Sequence, residues 1–211
     1  MTLSLNEVEA LAKKASRGAG YPWGIAEETG KAVRWLCAAD IDGCAALADY
    51  LTSCEGDDIS ARMPVQGKTW TPKGDRLCPL LAGAALSDLA DTLTGQDLRL
   101  EDVAYPLLLA PFAGLSALYL KEPVFLEWNG TCFATDGKAV ILQGKTGASM
   151  ATVTARLGSG LDRAHRQPAC SRASPSEDTL AALNRLAHRT YAPATEASRL
   201  SGAGAGLSDN D

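Results

Sequence analysis

The sequence predicts an α+β fold: a helical N-terminal half, a mostly antiparallel sheet in the second half and a C-terminal helix. Three observations carry this. Alanine- and leucine-rich segments with helical spacing dominate roughly the first 95 of 211 residues. From Val124 to Leu157 apolar residues alternate with polar ones, and Asn129-Gly130 and Asp136-Gly137 punctuate the alternation. Ser174-Pro175-Ser176-Glu177 then has the form of a capping box with proline in the first helical turn.

Ser4 with Glu7 is a capping box, in which side chain and backbone satisfy each other's free groups at a helix start, and Leu5, Val8, Leu11, Ala12 and Ala15 continue the helix until Gly18 and Gly20. Ile25, Thr29, Ala32, Val33 and Leu36 mark a second helix. Cys44, Leu47, Ala48 and Leu51 mark a third, which Asp42 can cap. Residues 56–74 lack a clean period and suggest a connection with one short strand at Thr69–Thr71. Pro79–Leu93 restores a helix, with Leu81, Ala85, Leu86, Leu89 and Leu93 on its apolar side.

Strands are expected between Leu107 and Leu120. Val124–Trp128 and Thr131–Thr135 flank Asn129-Gly130 as a hairpin, because both central residues of a type I′ turn need positive φ. Asp136-Gly137 repeats the signal before Ala139–Gln143, and Met150–Leu157 alternates as a further half-buried strand. The expected sheet is antiparallel, with four to seven strands in residues 105–157.

With 46% apolar and 21% charged residues, the composition is globular. The longest apolar stretch, Tyr105 to Leu120, is broken by Pro106, Pro111 and Gly114 and is too short for a helix across about 30 Å of hydrocarbon. No membrane partner is expected. The opening residues lack a secretory pattern, which places the chain in the cytoplasm. A net charge of −5 removes the electrostatic drive for nucleic-acid binding. Cys37, Cys44, Cys54, Cys78, Cys132 and Cys170 include no CxxC pair, and His165 and His188 lie 23 residues apart. Reduced, mostly buried thiols are expected, with no metal and no cofactor.

Asp40, Asp42, Asp49, Glu55, Asp57 and Asp58 form an acidic segment without a cation, whereas every cation after Lys145 is an arginine. These are two solvated faces, segments that pack on one another, or arginine forks for a carboxylate or phosphate. Gly144-Lys145-Thr146 follows a strand but lacks the earlier glycine of a P-loop, Ala139 standing there, and is a turn. Tyr21, Trp23, Trp35, Trp70 and Trp128 are candidates for core or pocket walls. His165 is expected to be solvated, and His188 to belong to the terminal helix.

The candidate ligand-binding residues are Tyr191, Thr195, Ser198 and Arg199. They offer hydroxyls and a planar cation just before glycines whose amides can form an anion nest. Arg199 is expected to be at least partly buried and paired, with an acid of residues 40–58 or with a bound anion. No nucleophile with its base is visible, so catalytic residues are unassigned.

The opening Ser4-Leu-Asn-Glu-Val-Glu-Ala-Leu-Ala-Lys-Lys14, with Arg17-Gly-Ala-Gly20 and Trp23-Gly24, and the closing Thr195-Glu-Ala-Ser198-Arg199 with Gly202 to Gly206, resemble a proteobacterial family termed domain of unknown function 3726. The resemblance implies a bacterial cytoplasmic protein of this length and no particular activity. Residues 5–51 also look like the start of the malate/L-lactate dehydrogenases that lack a Rossmann fold. That family has Asp-Ser-His-Gly where this chain has Asp42-Gly43, so its catalytic histidine is missing.

The expected organisation is one α+β domain over 1–191, with a helical lobe at 1–95, a sheet-rich lobe at 98–157 and a terminal helix at 175–191. A C-terminal segment follows at 192–211, flexible at least from 207. Two function classes fit. One is an accessory subunit or small-ligand-binding protein of a metabolic pathway, partnered by a protein from the same operon or a small anionic ligand and open to homo-oligomerisation. The other is a cofactor-independent enzyme on a small anionic metabolite.

Overall fold

The computed structural model of the chain describes residues 1–191. A two-residue strand β1 (Leu3–Ser4) leads into α1 (Leu5–Gly18). The Ser4 side chain accepts from the Glu7 amide, and the Glu7 carboxylate accepts from the Ser4 amide at 2.7 Å, so the capping box is complete. Next come α2 (Trp23–Ala38) and α3 (Gly43–Ser53), the latter capped by Asp42 through the Ala45 amide at 2.9 Å. The strands β2 (Pro64–Val65) and β3 (Thr69–Pro72) precede α4 (Pro79–Asp88). The helix predicted to reach Leu93 breaks at Leu89 and continues as a 3₁₀ turn, Ala90–Leu93.

After β4 (Leu98–Ala104), the stretch expected to contain strands is instead a 3₁₀ turn, Pro106–Leu109, and a helix, α5 (Ala110–Leu120). This segment has no β-branched residue, and Pro111 falls in the first helical turn, where its missing amide proton is not needed. The antiparallel meander β5 (Val124–Trp128), β6 (Thr131–Thr135), β7 (Val140–Gln143) follows, then β8 (Met150–Leu157), β9 (Arg172–Ala173) and α6 (Glu177–His188). Asn129 and Gly130 both have positive φ, as the hairpin requires. At the second turn only Gly137 does, and the Asp136 carboxylate caps the turn by accepting from the Lys138 and Ala139 amides. The terminal helix is capped by Ser176 rather than Ser174: the Ser176 hydroxyl accepts from the Thr179 amide, and Pro175 stays outside.

Seven strands form one sheet in the order β2-β3-β4-β8-β5-β6-β7, while β1 pairs with β9 apart from it. The sheet is mostly antiparallel, as expected, but it reaches beyond residues 105–157 and includes one parallel pair. Three strands come from residues 64–104, and β3 pairs with β4 in parallel, Trp70 opposite Leu100. The parallel pair follows from α4, which supplies the crossover that such strands need. Leu100, Val124, Leu126, Phe133, Val153 and Ala155 are buried on the helix-facing side of the sheet, and α5 packs against β5 and β6.

The acidic and arginine-rich segments meet. Arg185 grips Glu55 with two hydrogen bonds, at 2.7 and 2.8 Å, and Arg189 joins the same carboxylate. The two cations hold the Glu55 carboxyl down at about 2. This fastens α6 to the end of α3, and Gly18 lets α6 pass so close to α1 that a Cβ there would meet the Leu186 carbonyl.

Candidate functional site: the exposed apolar face of α5

Helix α5 carries no charged residue. A helix apolar on all sides is ordinarily buried on all sides. Here Leu115, Leu118 and Tyr119 are 45%, 46% and 66% exposed. The one serine of the helix does the opposite: Ser116 is fully buried and donates to the Phe112 carbonyl at 3.2 Å and the Leu86 carbonyl at 3.3 Å. The helix thus buries its one hydroxyl among apolar neighbours while two leucines and a tyrosine stay partly in water.

Beside these leucines, α2 and α5 enclose a cleft of about 160 Å³ walled by Trp35, Pro111, Phe112, Leu115 and Leu118. Two glycines shape it. A Cβ at Gly114 would stand 3.1 Å from the Trp35 ring, and one at Gly137 would stand 2.3 Å from Leu118 Cγ. The Glu28–Lys31 pair, 2.7 Å apart on α2, borders the apolar wall. On another side the Tyr119 hydroxyl reaches Asp91 at 3.5 Å. An apolar centre with a charged rim is the anatomy of a binding surface.

A second polar group lies inside the protein. The Tyr21 and Tyr50 hydroxyls are 2.7 Å apart, Tyr21 also meets the Cys78 thiol at 3.4 Å, and the buried Arg62 donates to the Tyr50 hydroxyl and the Asp57 carbonyl, each at 3.4 Å. Burial pushes both phenols well above their ordinary range, so they stay neutral. With Tyr21, Tyr50 and Arg62 at most 3% exposed, the cluster ties together the α1–α2 turn, α3 and the start of α4 without reaching solvent.

Of the residues singled out for ligand binding, Tyr191 lies just past α6. Its hydroxyl accepts from Lys14 Nζ at 3.2 Å, that amine sits 5.2 Å from the ring centroid, and the His188 ring meets it edge-on at 5.4 Å. Thr195, Ser198 and Arg199, and with them the expected burial of Arg199, lie outside the described residues. His165 is exposed and bonded to Asp162, and His188 belongs to α6. Among the aromatics, Tyr21, Trp70 and Trp128 are core and Trp35 is a cleft wall. Trp23 is 53% exposed under the cations of Lys13 and Arg17.

Sequence reasoning missed the face of α5 because a stretch with no charged residue reads as core. The signal available was Ser116, which cannot lie on the same side of the helix as both leucines.

Among the described residues no group of three histidine, cysteine or acidic side chains could hold a metal ion, and no helix is long and apolar enough to cross a membrane. Residues 3–92 match the family model described as "Protein of unknown function (DUF3726)". The resemblance carried by the opening residues holds over that span, and the closing residues that shared in it lie beyond the match. No curated protein matches the chain. Among solved structures, malate dehydrogenase from Entamoeba histolytica is similar with a TM-score of 0.43 at 8% identity, covering 74% of this chain and 49% of that one. The chain thus spans about half the length of that structure.

Proposed function

We propose that this protein is an accessory subunit of the bacterial cytoplasm that docks a protein partner on the exposed face of α5. The observation that carries the reading is the uncovered apolar face of that helix: Leu115 and Leu118 remain about half exposed while Ser116 is buried. A small ligand would need only the cleft. The apolar surface continues past it to Tyr119, which favours a protein that inserts one apolar side chain beside Trp35 and covers the leucines around it. Completing the burial of each half-exposed leucine contributes about 1 kcal/mol to docking, since full burial is worth roughly 1.5–3 kcal/mol.

The test is co-purification with the product of a neighbouring gene, using the wild type and the Leu115→Glu/Leu118→Glu variant. The expected result is a stable complex for the wild type, lost in the variant while its melting temperature holds. A complex that survives both charges overturns the reading. So does a wild type that binds no partner, or that only pairs with a second copy of itself.

A second reading, binding or turnover of a small carboxylate or phosphate, is favoured by Lys14 and Tyr191, a cation and a phenol held together where the segment with Thr195, Ser198 and Arg199 begins. Titration with inorganic phosphate should then give heat that disappears in Lys14→Ala and on truncation after Ala192. Equal heats in all three proteins, or none in the wild type, count against it.

A further inference from the structure

Two cysteines that look unrelated in the sequence meet at the α2–α3 corner. Cys37 is in the last turn of α2, Cys44 in the first turn of α3, and their sulfurs are 3.9 Å apart. Gly43 makes the meeting geometrically feasible: a Cβ there would sit 2.9 Å from Leu36 Cβ and 3.0 Å from the Val33 carbonyl, so only glycine lets α3 start this close to α2. The first turn of α3, capped by Asp42 and with the Gly43 amide on the Ile41 carbonyl at 2.7 Å, thus begins against the last turn of α2.

The two thiols are not equivalent. The contact between them lowers the Cys37 thiol below its ordinary range against the opposing effect of burial, and the same contact together with burial raises the Cys44 thiol. Cys37 also borders a cleft of about 220 Å³ whose other walls include Arg172, Asp40, Asp42 and Ser174. Cys37 is 4% exposed at that wall, and Cys44, 1% exposed, does not line the cleft. On the adjoining loop Cys170 donates to Asp40 at 3.3 Å, and that bond keeps its thiol protonated and its pKa raised.

We propose that Cys37 and Cys44 form a thiol–disulfide exchange site, with Cys37 as nucleophile, Cys44 as resolving thiol, and a small disulfide bearing both carboxylate and ammonium groups as substrate. Arg172 faces the carboxylate and the Asp40 and Asp42 carboxylates face the ammonium group, as in an amino-acid or short-peptide disulfide. The Cys37 thiolate attacks one sulfur of the substrate, forming a mixed disulfide and releasing one thiolate. Cys44 passes its proton to that leaving group and attacks Cys37, closing the Cys37–Cys44 bond and expelling the second thiolate, which takes from solvent the proton that Cys37 had lost. The protein dithiol is oxidised by two electrons and the substrate is reduced to two thiols. Closing the bond brings sulfurs now 3.9 Å apart to about 2.05 Å, a shift of less than about 2 Å between two side chains already in contact.

The site is independent of the α5 surface and can be tested apart from it. The full chain, folded and reduced, is incubated with glutathione disulfide, quenched with acid and mapped by peptide mass spectrometry. The wild type should yield a Cys37–Cys44 bridge, Cys44→Ser should accumulate a glutathione adduct on Cys37, and Cys37→Ser should give neither. Cys37 should react at least about tenfold faster than Cys54: the two are about equally buried, but Cys37 borders the cleft whereas the Cys54 thiol donates to the Tyr50 carbonyl at 3.1 Å. Adducts confined to Cys170 or Cys132, or wild-type protein without a Cys37–Cys44 bridge, overturn the proposal. Should Cys44→Ser not fold, Cys44→Ala replaces it, and the wild-type map decides the question without any variant.

Discussion

Gly83→Ala probes how tightly α4 is set against α5, and its cost follows from the geometry. A Cβ on Gly83 would stand 2.2 Å from Phe112 Cδ2 and 2.6 Å from Cγ, where about 3.5–4.0 Å is the contact optimum for carbon. Phe112 is 1% exposed and walls the cleft beside Trp35, so its ring must shift toward that cleft or the two helices must separate. Overpacking of this kind costs about 1–3 kcal/mol. Alanine recovers up to about 1 kcal/mol through its better helix propensity. The expected net is a loss of about 1–2 kcal/mol, read from the midpoint of urea unfolding followed by circular dichroism. Gly83→Ala/Phe112→Leu should recover part of it, since the smaller side chain makes room. A Gly83→Ala protein as stable as the wild type, or more so, would refute the claim that Gly83 is required by close helix packing.

Two further predictions test the supports of the fold. The Glu55 carboxyl is held near 2 against an ordinary 4.5, so its contribution to stability is fully present above about pH 4.5 and fades as the pH falls toward 2. Glu55→Gln should therefore lower the melting temperature at pH 7 and flatten its decline across that acid window, and an unchanged slope would show that the Arg185 and Arg189 contacts contribute nothing. Tyr50→Phe removes one of the two acceptors of Arg62 and the nearer partner of the Tyr21 hydroxyl, and should destabilise by about 1–3 kcal/mol in denaturant unfolding. A neutral outcome would mean that buried water replaces the phenol.

What was legible in the sequence is what is decided locally. The Ser4–Glu7 box, the Asp42 cap and the Asn129-Gly130 turn each depend on atoms within a few residues, and each stands as expected. The failures are non-local. Residues 107–120 read as strands because a stretch without charged residues has no polar period to distinguish helix from strand, and only the packing against β5 and β6 resolves it. The parallel β3–β4 pair was hidden because its partners lie about 30 residues apart across α4. For the arginine-rich segment the alternatives included packing on the acidic one, yet spacing could not single out Glu55, 130 residues from Arg185. The Cys37–Cys44 contact was invisible to spacing rules because it spans a helix end, a turn and a helix start, and it depends on Gly43 as much as on either cysteine.

The central claim, that the α5 face is a docking surface, is tested most directly by placing a photoreactive amino acid at Leu115 and, as a control on the polar sheet surface, at Thr154, in cells that carry the native neighbouring genes. The account predicts a cross-linked adduct of one defined partner protein from position 115 and none from position 154. Position 115 yielding no adduct, or the same products as position 154, would contradict it.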